Sequence, residues 1–343
     1  MRIAIDVMGG DHGSRAIIHG AARAAQEHPA LTLELFGPRQ HVMAELSRLP
    51  QPLAAAASRL VPRDAAHAVP PGATAAWALR HGRSSSMALM LDALSSAQCH
   101  VDAAVSAGNT AALVALSRRV PGMLPGIDRP AISTAIPARK QRTCYLLDLG
   151  ASVDSPAQRL ADFALMGAAM AQCVDGIEYP RVALLNVGAE AAKGSVSVRQ
   201  ADVILRRYAT QGAFDYHGYA EGGDLFGGCV DVMVCDGFVG NAVLKSSEGL
   251  ASMLVERVQA AFESRLSGRL ASFLARPVLR RLKQELDPVR YNGASLLGLS
   301  RIVVKSHGGA HAEGFYYAIL RAMQEVEHNL PERLAERWQQ TAP

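Results

Sequence analysis

The chain has 343 residues, of which 49% are hydrophobic and 30 are glycine, and its formal net charge is +4. This composition excludes a disordered chain and is typical of a globular α/β protein with two lobes or one large unit. The charge is mild, and we expect no nucleic-acid partner. Five cysteines form no C-x-x-C pair, which favours a reduced, cytoplasmic protein without a metal site. No run is long enough to predict a membrane span.

Strand-like and helix-like segments alternate along the chain, which predicts parallel βαβ units. The segment 50–72 has no clear assignment, and 216–228 is expected to be a loop. Helices are expected to end near residues 27, 49, 96, 119 and 328, and a further helix covers 196–210. The predicted strands are 3–7, 31–36, 101–105, 131–136, 144–147, 182–185, 230–235 and 302–304. The predicted fold is α/β, a mostly parallel sheet with flanking helices, in a single unit over 1–343 without a marked domain boundary.

Glycine-containing turns follow most of these strands. In an open parallel sheet the carboxyl ends of the strands share one edge, where ligands bind, so the polar residues of these turns should meet in one cleft. Lysines, amides, small hydroxyls and helix N-termini suit a phosphate group, and none of them requires a metal. The residues expected there are Asp6, Asp11, Ser106, Asn109, Thr110, Asp148, Glu190, Lys193, Asp236, Asn241, Lys245, Lys305 and His307.

The strand at 230–235 leads through Asp236-Gly237 into a helix that carries Asn241 and Lys245, which is a favourable anion site. A solvated lysine at an ordinary βα junction is the plainer interpretation of this one segment. Strand-end aspartates are also often helix caps or turn formers. Neither the P-loop nor the G-x-G-x-x-G pattern of nucleotide sites is present, and there is no G-x-S-x-G.

A second unusual region is basic and amphipathic and is predicted to protrude as a helical segment at about 257–290. It suits an acidic protein partner or an anionic membrane surface. A solvated helical hairpin or an oligomer contact explains it about equally well. Its basic side chains include Arg269, Arg276, Arg280, Arg281 and Lys283.

Several segments together resemble one known family, PlsX, the bacterial phosphate acyltransferases of phospholipid synthesis. They extend over nearly the whole chain in the expected order. The segments are IAIDVMGG at 3–10 with Asp11, VSAGNT at 105–110, IDRP at 127–130, LDLG at 147–150, GYAEGGDLF at 218–226, 230–249, YNGASLLGL at 291–299 and VVKSHGG at 303–309. The chain departs from the family at Ala111, Ser152 and Ser195, where the family commonly has Gly, Asn and Asn.

The resemblance implies a fold like the isocitrate and isopropylmalate dehydrogenases and the phosphotransacetylases, and a homodimer. It implies that inorganic phosphate attacks the thioester of acyl-acyl carrier protein and that acyl phosphate is formed, without a cofactor or an obligate metal. It also implies a cytoplasmic enzyme with peripheral membrane association. A membrane-bound glycerol-3-phosphate acyltransferase would then use the acyl phosphate.

Combined with this resemblance, the residues indicate a division of roles. Phosphate is expected at the turns of Gly108 and Gly237, neutralised by Lys245 and Lys305, with the catalytic steps assigned to Lys305, His307, Asn241 and Asp236. A phosphotransacetylase that acts on acyl-coenzyme A and a non-catalytic scaffold for the carrier protein are the alternatives. The predicted substrate-binding residues are Asp6, Gly9, Gly10, Asp11, Ser106, Gly108, Asn109, Thr110, Asp148, Lys193, Gly237, Lys245 and Ser306.

Overall fold

Helices pack on both faces of one eleven-stranded sheet in the computed structural model, which describes residues 1–96, 100–190, 192–263 and 287–341. The strands are β1 (Arg2–Asp6), β2 (Thr32–Gly37), β3 (Leu60–Asp64), β4 (Ala103–Ser106), β5 (Ala131–Ala138), β6 (Arg142–Leu147), β7 (Arg181–Leu185), β8 (Asp215–Ala220), β9 (Val232–Val234), β10 (Ala294–Leu297) and β11 (Ile302–Lys305). The helices are α1 (Gly13–Glu27), α2 (Arg39–Ser47), α3 (Ala75–His81), α4 (Ser86–Ala93), α5 (Thr110–Arg119), α6 (Ala157–Asp175), α7 (Val196–Thr210), α8 (Gly237–Glu263), α9 (Ala312–Glu327) and α10 (Leu330–Thr341).

The sheet contains two parallel groups of strands that run in opposite directions. Neighbours pair parallel in the order β3–β2–β1–β4–β11, the first group. They also pair parallel in the order β6–β9–β7–β8, the second group. Between the groups lie β10 and β5, and the pairings β11–β10, β10–β5 and β5–β6 are all antiparallel. Three successive reversals make the second group antiparallel to the first.

One row of paired residues crosses the junction between the groups. Val304 of β11 lies opposite Ser295 of β10, and Ser295 lies opposite Ser133 of β5. Ser133 in turn pairs with Leu147, the last residue of β6. The row lies at the carboxyl ends of both β11 and β6. The two groups approach it from opposite directions, so their carboxyl ends meet here. The prediction that all strand ends share one edge is therefore wrong, yet the turns of both groups still meet at the middle of the sheet.

Side chains alternate between the two faces along each strand, and the core follows this period of two. On one face, a single hydrophobic cluster extends across both groups and includes Ala104, Ile132 and Met233, packed with α4 and α5. On the other face there are two clusters, one with α1 and α9 and the other with α6, α7 and α10. The face with the single cluster therefore spans the junction, and its side chains line the cavity described below.

The predicted α/β class, with a mostly parallel sheet and flanking helices, is confirmed. The prediction of a loop at 216–228 is wrong, because β8 occupies Asp215–Ala220. The sequence also left β3 unassigned and missed β10 and α10. Both β3 and β8 are edge strands. An edge position tolerates Pro62 in β3 and Gly218, which has a positive φ, in β8. Edge strands therefore lack the apolar pattern of central strands.

Candidate functional site

Turns at the carboxyl ends of β1, β4 and β11 interlock through glycine. A Cβ atom at Gly9 would lie 2.4 Å from the Gly108 nitrogen, so the two turns can approach only because glycine stands at 9. Gly10 has a φ of 93°. The N–H of Asp11 then donates to the Gly308 carbonyl at 2.8 Å, which joins the β1 turn to the β11 turn.

Asp6 lies beneath these turns and is almost completely buried. Its carboxylate accepts hydrogen bonds from Ser86 Oγ at 2.7 Å, Ser106 Oγ at 2.8 Å and the Met8 N–H at 3.1 Å. Burial raises the pKa of Asp6, and the bonds from Ser86 and Ser106 oppose that rise. Ser106 in turn accepts from the Gly108 N–H at 3.0 Å. Asp6 therefore organises the turns from the interior.

Lys305, the last residue of β11, is only 9% exposed. Its ammonium group donates to the main-chain carbonyls of Ala107, at 3.4 Å, and of Ser306. Burial and, after it, the charge of the nearby Lys245 lower the pKa of Lys305 to about 8, although Asp11 and Asp6 act in the opposite direction. With three N–H donors and two carbonyl partners, this cation retains a donor for a ligand.

His307 connects the first group of strands to α8. Its Nε2 lies 2.6 Å from Lys245 Nζ, and Lys245 also donates to Glu248 at 2.8 Å. Nδ1 accepts from the Gly309 N–H at 3.0 Å, which assigns the hydrogen of the neutral ring to Nε2. Burial lowers the pKa of His307, and the charge of Lys245 lowers it as well.

The second group supplies a similar turn after β6. Asp148 accepts from the N–H groups of Gly150, Ala151 and Ser152 and from the Ser152 hydroxyl. Burial raises the pKa of Asp148. These hydrogen bonds oppose the rise, and the bond from the Ser152 side chain opposes it most. A Cβ at Gly237 would lie 2.1 Å from the Ser152 carbonyl oxygen, so glycine is needed where α8 begins against this turn.

Two predicted site residues serve as helix caps. Asp236 accepts from the N–H groups of Phe238 and Val239 at 2.9 and 3.0 Å at the start of α8. Asn109 accepts from the Ala112 N–H at 2.9 Å at the start of α5, and its amide donates to the carbonyls of Pro71 and Ala73. The side chain of each is therefore already engaged with main-chain groups.

The loop after β7 contains the other predicted lysine. Lys193 and Glu190 form an ion pair of 2.8 Å with half or more of each side chain exposed. The hydrogen bond between the two side chains lowers the pKa of Glu190 and raises the pKa of Lys193. Neither residue lines the cavity that contains the other lysines. The structure does not bring Lys193 together with Lys245 and Lys305.

A cavity of about 640 Å³ lies between α8, the β11 turn and the strands β5 and β10. Its polar end carries Thr110, Asn241, Lys245, Lys305, Ser306, His307 and Gly308. The remaining wall is largely apolar and includes Ile132, Ile136, Pro137, Leu149, Phe226, Leu244 and Val289, and the carboxylates of Glu248, Asp287 and Glu313 also line the cavity. The cavity thus combines a cationic end with an apolar wall, a pairing that suits a ligand with an anionic part and a hydrocarbon part.

The sequence did not single out Asn292 and Thr134, which also line this cavity. Asn292 precedes β10 within the segment 291–299, and its Asn-Gly pair was the available signal. Thr134 lies in β5, where the strand pattern alone does not show which face is functional.

The predicted basic surface falls mostly outside the described residues. Residues 264–286, which include Arg269, Arg276, Arg280, Arg281 and Lys283, are not described. Within the described ranges, no group of three His, Cys, Asp or Glu side chains could hold a metal ion. In the same part of the chain, no helix is both long and apolar enough to cross a membrane.

Comparisons with known proteins place residues 1–333 under a family model described as fatty acid synthesis protein. The phosphate acyltransferase of Stutzerimonas stutzeri is 48% identical over 335 residues, which cover 98% of this chain and 91% of the relative. That of Pseudomonas fluorescens is 48% identical and that of Nitrosococcus oceani is 43% identical, each over 97% of this chain and at least 95% of the relative.

Solved structures resemble the chain in fold. A phosphotransacetylase from Streptococcus pyogenes has a TM-score of 0.60 at 17% identity, covering 95% of this chain and 94% of that one. A branched-chain phosphotransacylase from Enterococcus faecalis also has a TM-score of 0.60, at 13% identity, with coverage of 96% and 100%. A 4-hydroxythreonine-4-phosphate dehydrogenase from Klebsiella pneumoniae has 0.56 at 14% identity, with coverage of 95% and 99%. The resemblance to phosphotransacetylase and dehydrogenase folds is thus confirmed.

Proposed function

We propose that this chain, which belongs to the phosphate acyltransferase family, transfers a fatty acyl group from acyl-acyl carrier protein to inorganic phosphate. The chain is an enzyme that transfers an acyl group to phosphate for phospholipid synthesis, as its membership of the family establishes. The carrier protein as donor is the finer part of the proposal. It is supported by the description of the matching family model, fatty acid synthesis protein, and by the apolar wall of the cavity, which can receive an acyl chain.

One observation supports the site assignment above all. Lys305 from the first group of strands and Lys245 from α8 approach the same end of the cavity, with His307 between them. The Nε2–H of His307 and the ammonium of Lys245 are both donors, so an anion that accepts from both satisfies them better than their mutual contact does. Inorganic phosphate is such an anion.

In the proposed reaction, a phosphate oxygen attacks the carbonyl carbon of the thioester. The new C–O bond forms while the C–S bond breaks, and the products are acyl phosphate and the free thiol of the carrier. Lys305 and Lys245 hold the phosphate oxygens, and the apolar wall receives the acyl chain. Asn241 and Ser306 stand near enough to the polar end to donate to the oxyanion that develops on the acyl oxygen.

The protons follow from the same geometry. His307, whose pKa is lowered by burial and by Lys245, carries its hydrogen on Nε2 and donates it to phosphate, while its Nδ1 is occupied by the Gly309 N–H. The remaining proton of phosphate passes to the departing thiolate, directly or through water, which gives the free thiol. Asp6 and Asp148 have their oxygens engaged by main-chain and hydroxyl donors, and we assign them to holding the turns. Asp236 caps α8, and we assign it a structural role as well.

The predicted partners beyond substrate stay predictions. A homodimer, an anionic membrane surface and a membrane-bound glycerol-3-phosphate acyltransferase that consumes the acyl phosphate are all consistent with the proposed reaction. The basic segment at about 257–290 remains the candidate surface for the carrier protein or lipid. Lys193, exposed beside Glu190, is retained as a candidate contact for the phosphopantetheine or the carrier.

The deciding experiment incubates the purified protein with acyl-acyl carrier protein, with and without inorganic phosphate, and measures free carrier thiol. We expect thiol release that requires phosphate. A parallel reaction with acyl-coenzyme A tests the donor, and a preference for coenzyme A would replace the carrier-protein assignment with a phosphotransacetylase. Carrier binding without release in either reaction would favour the scaffold alternative.

A further inference from the structure

Asn292 stands at the junction of the two strand groups, between the 3-10 turn Pro288–Tyr291 and β10, and faces the cavity. The next residue, Gly293, has a φ of 115°, and a Cβ there would lie 3.0 Å from the Ala318 Cα. Glycine is therefore required for the chain to turn tightly against α9 at this point. This turn determines where the Asn292 side chain lies.

The amide of Asn292 makes three hydrogen bonds whose directions are unambiguous. Its Nδ2 donates to the Gly314 carbonyl at 2.7 Å and to Ser306 Oγ at 2.9 Å. Its Oδ1 accepts from the His307 N–H at 2.9 Å. A carbonyl can only accept and a main-chain N–H can only donate, so these partners determine which end of the amide is which.

These bonds hold the amino side of the His307 residue. The His307 N–H is bound directly by Asn292. Because the Ser306 hydroxyl accepts from Asn292, its own proton points elsewhere, and the His307 carbonyl oxygen lies 3.5 Å away. Thr134 Oγ1 donates to the Tyr291 carbonyl at 3.3 Å, which connects the turn before Asn292 to β5.

We propose that Asn292 is a positioning residue that holds the main chain of His307 so that its imidazole meets Lys245 across the cavity. The inference rests on the proposed function of this cavity and extends it to a residue that has no role in the mechanism above. Asn292 acts through His307 and Ser306 and does not need to touch the substrate. The Gly314 bond anchors the amide to the first turn of α9.

The informative variant is Asn292→Asp, because the introduced carboxyl changes its hydrogen bonding with pH. When ionised, it still accepts from the His307 N–H but cannot donate to Gly314 or Ser306. When protonated, it can again donate to the Gly314 carbonyl. We expect kcat/KM for phosphate to fall on the order of a hundredfold near neutral pH. We also expect the ratio of variant to wild type to rise as the pH is lowered through the titration of that carboxyl.

The control applies the same chemical change far from the cavity. The Gln172 amide on α6 donates to the Glu178 carbonyl at 2.9 Å. The ratio of kcat/KM for phosphate in Gln172→Glu to that in the wild type should therefore not change with pH. A purely structural role for Asn292 predicts that the activity of Asn292→Asp follows its folded fraction at every pH, and that result would overturn the proposal.

A second readout does not depend on turnover. In the folded protein, NMR titration of the His307 ring should show that its pKa moves toward the ordinary value in Asn292→Ala, because the imidazole is no longer held beside Lys245. An unchanged His307 titration would overturn the positioning role even if the variant loses activity. If the wild type itself shows no phosphate-dependent release, the proposed function fails, while this titration still tests the positioning of His307.

Discussion

Asp6 in the first group of strands and Asp148 in the second occupy similar places, each at the end of a strand and beneath a glycine turn. Their oxygens are used differently. Asp6 accepts from two serine hydroxyls and one main-chain N–H. Asp148 accepts from three main-chain N–H groups and one hydroxyl. Burial raises the pKa of both.

The two lysines of the cavity differ in a complementary way. Lys305 extends from the first group behind the Asp6 turns and is almost completely buried. Lys245 stands on α8 beside Glu248 with 45% of its side chain exposed. The oxygens of Asp6 and Asp148 are used internally, and Glu248, which also lines the cavity, pairs with Lys245. Lys305 therefore supplies a charge that no carboxylate of these three neutralises by direct contact. The buried Lys305 should be the more sensitive to substitution and to pH.

The largest expected effect is therefore that of Lys305→Met, which removes the ammonium but keeps an unbranched apolar side chain. We expect kcat/KM for phosphate to fall at least about a hundredfold, because a preorganised charge in a dry site stabilises the transition state strongly. Lys245→Met is the matched variant, and its loss should be smaller because solvent already screens that charge. Phosphate-dependent thiol release measures both. Retained turnover in Lys305→Met, or a greater loss in Lys245→Met, would reverse the comparison.

The second effect is an alkaline limb in the pH profile. Burial and the charge of Lys245 lower the pKa of Lys305 to about 8, so the cation loses its proton as the pH rises through that value. Attraction for phosphate is then lost, and kcat/KM for phosphate should fall about tenfold per pH unit above about 8. Lys305→Met should lack this limb, whereas Lys245→Met should keep it at a higher pH, because the charge of Lys245 helps to lower the pKa of Lys305. A wild-type profile that stays flat to pH 10 would contradict the buried-cation assignment.

The third effect concerns packing where α8 meets the Asp148 turn. Gly237→Ala places a Cβ 2.1 Å from a main-chain oxygen, and we expect the free energy of unfolding to fall by about 3 kcal/mol. Gly249→Ala lies in the same helix with no atom within 4 Å of the new Cβ, and it should raise stability by about 0.5–1 kcal/mol. Urea titration distinguishes these opposite signs. A destabilising Gly249→Ala would show that helix propensity does not govern that position.

The smallest effect tests the two aspartates directly. In Asp148→Asn, either orientation of the amide leaves its NH₂ facing a main-chain N–H, so stability should fall by about 1–2 kcal/mol. In Asp6→Asn, the NH₂ can face Ser106 Oγ, which is able to accept, so the loss should be smaller. Denaturant unfolding of both variants at neutral pH makes the comparison. Equal losses would mean that the loss of charge, and not the orientation of the donors, sets the cost.

The α/β class and the positions of most central strands followed from the sequence, because hydrophobic period and glycine turns are local signals. Gly108 and Gly237 mark turns that the chain forms, and Lys305 at a strand end was recognisable without knowing its neighbours. The helix at 196–210 also ends where its pattern indicates. Edge strands such as β3 and β8 were missed because they face solvent and tolerate Pro and Gly.

Only the tertiary structure decided how these elements meet. The antiparallel pairs of β10 and β5 reverse the second group, and strand pairing between residues more than a hundred positions apart leaves no local trace in the sequence. The same long-range packing brings Lys245 to His307 across 62 positions and Asn292 to the His307 N–H. It also buries Lys305, and the pKa of that lysine depends on burial and on neighbouring charges, which are properties of the folded chain.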